Sequence, residues 1–176
     1  MRTFIAIDMP EEIQQYLKWT QKQLGNAKLK LVKEFHLTLK FLGEVSEEKI
    51  EEIKLLLREI KFKPFKTRLT NIGVFPSENY IRVVWVGLEE KDIKIIQEDI
   101  DETLQKIFPK EKRFSAHVTL VRVKFVDNKE KFVDNIKKIK IDKKEFEVKE
   151  FKLKKSTLTR EGPIYEDLEV FKSESL

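Results

Sequence analysis

The chain has 176 residues, 40% of them hydrophobic and 38% charged, a size and composition that suit one domain with an apolar core. It contains no cysteine, which excludes disulfide bonds, a thiolate nucleophile and cysteine-ligated zinc. The net charge of +5 is compatible with an anionic partner, and the abundance of Lys and Glu is typical of heat-adapted intracellular proteins.

The N-terminal segment, MRTFIAIDMPEE, becomes acidic before the apolar region of a signal peptide could form. No apolar run reaches the roughly 20 residues that cross a bilayer as a helix. A cytoplasmic protein without a membrane partner is therefore expected. The first half of the chain predicts, in order, a strand over residues 2–8, a helix from Pro10 to Gly25, a basic extended stretch over 28–33, a strand over 36–42 and a helix capped by Ser46.

The second half repeats the alternation of strands and helices. The predicted elements are strands over residues 64–75 and 80–88, a helix over 93–107, a strand over 115–123, a short helix over 129–138 and strands from about residue 144 with a turn at 162–163. Each half holds a short strand that contains His-x-Thr-Leu, next to helices and further strands. This repetition favours a two-lobed α+β protein with antiparallel sheets.

The chain contains only two histidines, and both stand in the same short motif. The first motif reads HLTL over residues 36–39 and the second reads HVTL over residues 117–120. A single His-x-Thr in a strand is usually structural. The odds that both histidines match by chance are on the order of one in 10^4 at typical residue frequencies. The pair therefore indicates a functional site.

Strand geometry places the polar residues of each motif on one side. Because side chains alternate between faces, His36 and Thr38 project together, about 7 Å apart, while Leu37 and Leu39 enter the core. The second motif, over residues 117–120, repeats this arrangement. If the two strands face each other across a cleft, two imidazoles and two hydroxyls surround one small volume.

Two imidazoles around one centre suit acid–base chemistry at neutral pH. The ordinary imidazole pKa of about 6.5 allows one ring to accept a proton while the other donates one. Threonine hydroxyls can donate hydrogen bonds to phosphate oxygens as negative charge builds in a transition state. This combination needs neither a metal ion nor a covalent intermediate.

The sequence resembles the 2H phosphoesterase superfamily, specifically its archaeal and bacterial RNA 2',3'-cyclic phosphodiesterases, which are also called 2'-5' RNA ligases. The resemblance covers essentially the whole chain. Besides the two motifs, it is carried by RTFIAI at residues 2–7, KFLG at 40–43, GVFP at 73–76, RVVWVG at 82–87 and a closing segment over 153–165.

The resemblance implies one domain over residues 1–176, built of two similar lobes in a pseudo-twofold α+β fold. Two antiparallel sheets would face a central cleft, with the helices outside. It also implies hydrolysis of RNA 2',3'-cyclic phosphate ends to 2'-phosphate, and in reverse a 2'-5' ligation of RNA such as tRNA halves. No cofactor and a monomeric state are expected. The sequence carries no Walker-type or Lys-x-Asp-Gly motif, which agrees with independence from ATP.

The implied reaction needs an acid and a base, and we assign these roles to the two histidines. His36 is assigned as the general acid that protonates O3', and His117 as the general base that activates water. The pseudo-symmetry leaves the opposite order open. Thr38 and Thr119 are expected to bind the phosphate.

Two basic and five aromatic side chains are further candidates for substrate binding. Simple alternation puts Lys40 on the face of the first motif's histidine, or at a strand end in solvent. It puts Arg122 on the face opposite the second motif's histidine, unless the strand bends there. The aromatic candidates for stacking on a base of a single-stranded RNA end are Phe41, Phe75, Tyr80, Trp85 and Phe114. Tyr80 and Phe114 are preferred, because they lie near motif or turn edges.

Three alternatives stay open at this stage. A non-catalytic member of the same fold would bind a nucleotide or an RNA end without turnover. A metal site would use His36, His117 and a carboxylate, although threonine stands where a paired carboxylate would be expected. The substrate could also be another cyclic phosphodiester, such as ADP-ribose 1'',2''-cyclic phosphate.

Overall fold

The structure is a computed structural model that describes residues 1–25 and 27–175. Within these residues the chain forms nine strands and four helices. In chain order they are β1 (Arg2–Asp8), α1 (Glu11–Gln21), β2 (Ala27–Leu31), β3 (His36–Glu44), α2 (Glu47–Leu57), β4 (Phe65–Ser77), β5 (Tyr80–Leu88), α3 (Lys91–Thr103), β6 (His117–Val126), α4 (Lys129–Lys138), β7 (Glu145–Val148), β8 (Glu150–Thr159) and β9 (Gly162–Lys172).

The predicted elements are confirmed, and most differences lie at their ends. Helix α1 begins directly after Pro10, which needs no N–H donor there. The predicted N-cap of α2 is also present, because the Ser46 hydroxyl accepts a hydrogen bond from the N–H of Lys49 at 3.2 Å. Helix α3 ends at Thr103 rather than near Ile107. Within the described residues, no helix has both the length and the hydrophobicity needed to cross a membrane.

All strand pairs of the sheet are antiparallel, which confirms the predicted α+β class. The order is β7-β4-β5-β6-β3-β1-β8-β9, and β2 pairs with the outer part of β6. The two predicted sheets are therefore joined into one nine-stranded sheet. The junction is a single ladder pair, Leu37 with Val118, between β3 and β6. The motif strands thus stand at the centre of the sheet.

The two halves of the chain follow the same course and exchange their last strands. The first runs β1-α1-β3-α2-β4 and the second runs β5-α3-β6-α4-β8, apart from the short strands β2 and β7 and the last strand β9. Strand β4 pairs with β5 of the second half, whereas β8 pairs with β1 of the first. Neither half therefore completes its part of the sheet alone.

The apolar core lies on one face of the central strands. Leu37, Leu39, Val118 and Leu120 are each at most 1% exposed. The four helices supply buried apolar residues to the same core cluster, including Ile13, Ile53, Ile93 and Phe132. The polar residues of both motifs alternate with these leucines and valines, so they project from the opposite face.

Candidate active site

The two motifs lie side by side at the centre of the sheet. The pairing of Leu37 with Val118 sets a register in which His36 is opposite Thr119 and Thr38 is opposite His117. All four side chains project from the same face, and all four residues are half-buried. The two histidines are then diagonal neighbours, whose Cα atoms lie about 7–8 Å apart in such a register. The structure thus brings together the four residues that the sequence singled out.

The same irregularity follows both motifs. In β3 the pairing to β1 passes from Thr38 to Lys40, which leaves Leu39 as an extra residue. In β6 the pairing to β5 passes from Thr119 to Val121, and the extra residue lies between them. The burial patterns of the two strands are identical over nine residues. Such β-bulges change the face on which the following side chains project.

The first consequence of the bulges concerns Lys40, for which both predicted positions were wrong. The extra residue turns its side chain into the interior, where Lys40 is 2% exposed. Its Nζ lies 2.5 Å from Asp101 Oδ1 and donates to the carbonyl oxygen of Pro109 at 2.8 Å. Burial alone would raise the pKa of Asp101, but hydrogen bonds from Lys40 and the N–H of Glu111 hold it below its ordinary value. Lys40 therefore ties β3 to α3 and to the segment before β6.

The second consequence concerns Arg122, whose side chain projects from the motif face instead of into the interior. Strict alternation predicted it on the face away from His117, and this prediction was wrong. The bulge in β6 returns Arg122 to the motif face, where it is exposed. Its charge is one of the causes that lower the pKa of His36. The arginine therefore lies on the motif face and within electrostatic reach of His36.

Phe41 occupies in β3 the position that Arg122 occupies in β6. Each follows a bulge by one buried residue, and each is exposed on the motif face. Phe41 is 70% exposed, and its ring centroid lies 6.3 Å from that of Phe4. The Phe4 ring in turn lies 5.0 Å from the imidazole of His36. An exposed aromatic ring is thus separated from the first histidine only by the ring of Phe4.

His36 lies in a half-buried aromatic setting among charged groups. Besides Phe4, the ring of Tyr165 meets the imidazole edge-on at 5.0 Å between centroids. Burial lowers the pKa of His36 to about 4, with further lowering from the positive charges of Lys154 and Arg122 and partial opposition from Asp8. The imidazole is consequently uncharged at neutral pH in the free protein.

His117 has a different environment. Its Nδ1 lies 2.7 Å from the carbonyl oxygen of Ser115, so Nδ1 carries the hydrogen and Nε2 is the atom that exchanges a proton. The rings of Phe75 and Trp85 flank it at 5.1 and 6.0 Å. A Cβ atom on Gly73 would overlap the Trp85 ring, which explains the glycine in the GVFP segment.

The remaining predicted binding residues lie farther from the four central side chains. Tyr80 is 56% exposed at the turn between β4 and β5, and its hydroxyl accepts a hydrogen bond from Arg82 Nη1 at 2.7 Å. Phe114 is partly buried against the apolar core, three residues before His117. Substrate-binding roles for Tyr80 and Phe114 stay predictions.

Sequence reasoning missed a group of charged residues next to His36. Asp8, Lys152, Lys154 and Asp167 form ion pairs with one another. A cavity of about 490 Å³ adjoins them and is lined in part by Lys154, Asp167 and Tyr165. Within residues 1–25 and 27–175, no three His, Asp or Glu side chains gather at metal-binding distances.

Comparison with known proteins gives a consistent result. The family model described as LigT like Phosphoesterase matches the chain twice, over residues 7–85 and 86–165. An RNA 2',3'-cyclic phosphodiesterase of Methanocaldococcus jannaschii is 48% identical over an alignment of 170 residues, which covers 94% of this chain and 97% of that protein.

Solved structures agree with the sequence comparison. A protein of Thermus thermophilus superposes with a TM-score of 0.81 at 28% identity, covering 98% of this chain and 97% of that one. Escherichia coli LigT complexed with 3'-AMP superposes with a TM-score of 0.74 at 26% identity, covering 99% and 98%.

Proposed function

This chain belongs to the LigT-like phosphoesterase family and is a phosphodiesterase, and we propose that it hydrolyses RNA 2',3'-cyclic phosphate ends to 2'-phosphate without metal or ATP. The observation that carries the proposal is the register of β3 and β6. It sets His36 beside Thr119 and Thr38 beside His117 on one open face. Relatives named as RNA 2',3'-cyclic phosphodiesterases, and a LigT complex with 3'-AMP, support an RNA end as the substrate.

The proposed reaction is one displacement at phosphorus. A water oxygen attacks the cyclic phosphate while one imidazole takes a proton from it, and the P–O3' bond breaks while the other imidazole donates a proton to O3'. The hydroxyls of Thr38 and Thr119 donate hydrogen bonds to the non-bridging oxygens, where charge increases. Arg122 lies on the same face and would balance that charge. With a 5'-hydroxyl in place of water as the nucleophile, the same displacement would form a 2'-5' linkage between RNA ends.

The order of the two histidine roles depends on which ring carries a proton when substrate is bound. In the free protein the pKa of His36 is about 4, which suits the base role. A bound cyclic phosphate would bring negative charge next to Lys154 and Arg122 and oppose their effect on His36. The acid role assigned to His36 above therefore requires substrate to raise this pKa.

Phe41 is the side chain that we propose for contact with a nucleobase. Its ring is exposed, held on a strand of the central sheet, and separated from His36 only by Phe4. A base of the RNA end can stack on such a ring while the phosphate occupies the four motif residues. In this arrangement the nucleobase contacts β3 through Phe41, and the phosphate contacts β6 through Arg122.

The experiment is an incubation with 2',3'-cyclic-phosphate-ended RNA in excess EDTA, followed by separation of 2'-phosphate and 3'-phosphate products. We expect 2'-phosphate in EDTA, and a loss of about 10²-fold or more in His36→Ala and in His117→Ala. Activity that disappears in EDTA and returns with a divalent metal would contradict the metal-free mechanism. Binding of the RNA end without turnover would favour a non-catalytic role.

A further inference from the structure

Four charged side chains form a closed ring beside His36, which we call the charge ring: Asp8, Lys152, Lys154 and Asp167. The Nζ of Lys152 lies 2.8 Å from Asp8 Oδ2 and 2.9 Å from Asp167 Oδ2. The Nζ of Lys154 lies 3.0 Å from Asp8 Oδ1 and 2.8 Å from Asp167 Oδ1. Each carboxylate thus gives one oxygen to each lysine.

The charge ring is partly shielded from water. The side chains of Lys152 and Lys154 are 18% and 7% exposed, and those of Asp8 and Asp167 are 32% and 39% exposed. Burial would lower the pKa of Lys152, but its contacts with both carboxylates raise it above the ordinary value. Burial would raise the pKa of Asp167, but hydrogen bonds from both lysines lower it. Lys152 and Asp167 therefore both carry their charges at neutral pH.

One member of the charge ring is the direct cross-strand neighbour of the first histidine. Asp8 and His36 are partners in the ladder of β1 and β3, so their side chains project from the same face. A carboxylate in this position can accept a hydrogen bond from an imidazole N–H, and such a contact favours the charged imidazole. Here both oxygens of Asp8 contact lysines instead. His117, by contrast, donates its Nδ1 hydrogen to a backbone carbonyl.

We propose that Lys152 and Lys154 are positioning residues that withhold Asp8 from His36, so that this imidazole stays uncharged until a phosphate anion arrives. The lysines act through Asp8 and need not touch the substrate. The catalytic meaning of the proposal rests on the proposed function, because only a reaction at phosphorus uses the charge state of His36. The coupling between Asp8 and His36 can be measured without turnover.

Other charged and titratable groups also face His36, so the test has to separate them. From the strands around it, these groups are Asp8 on β1, Arg122 on β6, Lys154 on β8 and Tyr165 on β9. Lys152 and Asp167 pair in turn with Asp8 and Lys154. The loss of Lys154 would raise the pKa of His36 for two reasons, since a nearby positive charge disappears and Asp8 Oδ1 becomes free. A double-mutant cycle with Asp8 distinguishes the two.

The experiment follows the titration of the His36 imidazole by NMR in the whole protein. The chain has two histidines, so a His117→Gln spectrum assigns the signals. The variants are Lys154→Met, Asp8→Asn and the double variant, with Lys154→Arg to retain the charge. Lys49→Met, which removes only an exposed pair with Glu52, is the matched control.

We expect the His36 midpoint to rise in Lys154→Met to between about 5 and 7, because the freed Asp8 carboxylate can then accept a hydrogen bond from the imidazolium. Lys154→Arg and Lys49→Met should stay near the wild-type midpoint. Asp8→Asn should lower the midpoint more in the Lys154→Met background than in the wild type. Where Lys154→Met does not fold, Lys152→Met is used, because it frees Asp8 Oδ2 and its side chain is more exposed.

Two results would overturn the proposal. One is a His36 midpoint that does not move when either lysine is replaced. The other is an equal effect of Asp8→Asn in both backgrounds, which would mean that the lysines act only by their own charge. A wild-type protein that shows the expected coupling but does not open a cyclic phosphate would instead contradict the proposed function. The two failures are therefore distinguishable.

Discussion

Leu37 and Val118 form the one ladder pair that joins β3 to β6 and thereby the two halves of the sheet. Beyond this pair the two strands separate, since the outer part of β6 pairs with β2 instead. The pair holds its neighbours in register, with a histidine beside a threonine on each side. A phosphate that contacts all four side chains would therefore sit directly over the junction of the two halves.

The first prediction concerns the two hydroxyls. Thr38→Val and Thr119→Val retain the shape of the side chain and remove the donor to the phosphate. We expect each to lower kcat by about 10²- to 10³-fold, the usual cost of removing one donor to a developing negative charge. Rates with a 2',3'-cyclic mononucleotide measure this effect. Thr103→Val, at the end of α3, is the control and should leave the rate unchanged.

The sequence allowed most elements and the four central residues to be predicted, because both depend on local signals. Apolar periodicity and capping residues are read within one segment, as with Pro10 before α1 and Ser46 before α2. The paired His-x-Thr motifs needed only a comparison of residues 36–39 with residues 117–120. The two motifs lie on neighbouring strands because the second half of the chain repeats the course of the first.

The faces of Lys40 and Arg122 were both predicted incorrectly, for the same physical reason. Strict alternation assumes one residue per ladder step, and each motif strand contains an extra residue after its threonine. A bulge exists only relative to the partner strand, so HLTLKF and HVTLVR do not reveal it. The charge ring was missed for a related reason, since Asp8 on β1 is distant in the chain from β8 and β9, which carry the other three members.

The second prediction tests Phe41 as the contact for a nucleobase. Phe41→Ala should raise KM for a 2',3'-cyclic nucleotide by about 5- to 100-fold, which corresponds to the roughly 1–3 kcal/mol of one base stacked on an aromatic ring. Phe125→Ala is the matched control, because Phe125 is a similarly exposed ring at 61% and lies toward the other end of β6.

A substrate without a base separates stacking from an indirect effect of the same substitution. For ribose 2',3'-cyclic phosphate, the wild type and Phe41→Ala should have similar KM values. An equal loss for both substrates would mean that Phe41 supports the site rather than a base. A loss seen only with a cyclic-phosphate-ended dinucleotide would assign the ring to the second base instead of the terminal one.

The third prediction concerns stability. Lys40→Met leaves the buried carboxylate of Asp101 without its cation, and breaking a buried pair in this way costs about 3–5 kcal/mol of unfolding free energy. The double variant Lys40→Met/Asp101→Asn should cost less, because no buried charge is left over. Urea denaturation at pH 7 measures both. Lys49→Met, which removes an exposed pair, should change the unfolding free energy by about 1 kcal/mol or less.

If Lys40→Met proved no more destabilising than Lys49→Met, the buried pair would have no role in holding the segment before His117. The equivalent position in β6 indicates where the cost of Lys40→Met arises. Val121 is as buried as Lys40 and has no charge, so the fold itself accepts an apolar side chain after a bulge. The cost of the single variant therefore comes from Asp101, and replacement of both partners should recover part of it.

The last prediction concerns the charge of His36 as pH and phosphate vary. In the free protein its pKa is about 4, below the ordinary value of 6.5. The unfolded chain therefore takes up a proton between these values that the folded protein does not, so this residue's contribution to stability is complete above pH 6.5 and is lost as pH falls toward 4. His36→Gln should lose less stability than the wild type over that interval, in urea denaturation at several pH values.

Bound phosphate should raise the pKa of His36. An anion bound beside the motif residues opposes the positive charges of Lys154 and Arg122, and the protonated imidazole can donate to it. We therefore expect the His36 midpoint, followed by NMR, to rise from about 4 when inorganic phosphate or 2'-AMP is added. Chloride at the same ionic strength is the control. A midpoint that rises above the assay pH would support His36 as the acid, whereas one that stays near 4 would assign His36 as the base and His117 as the acid.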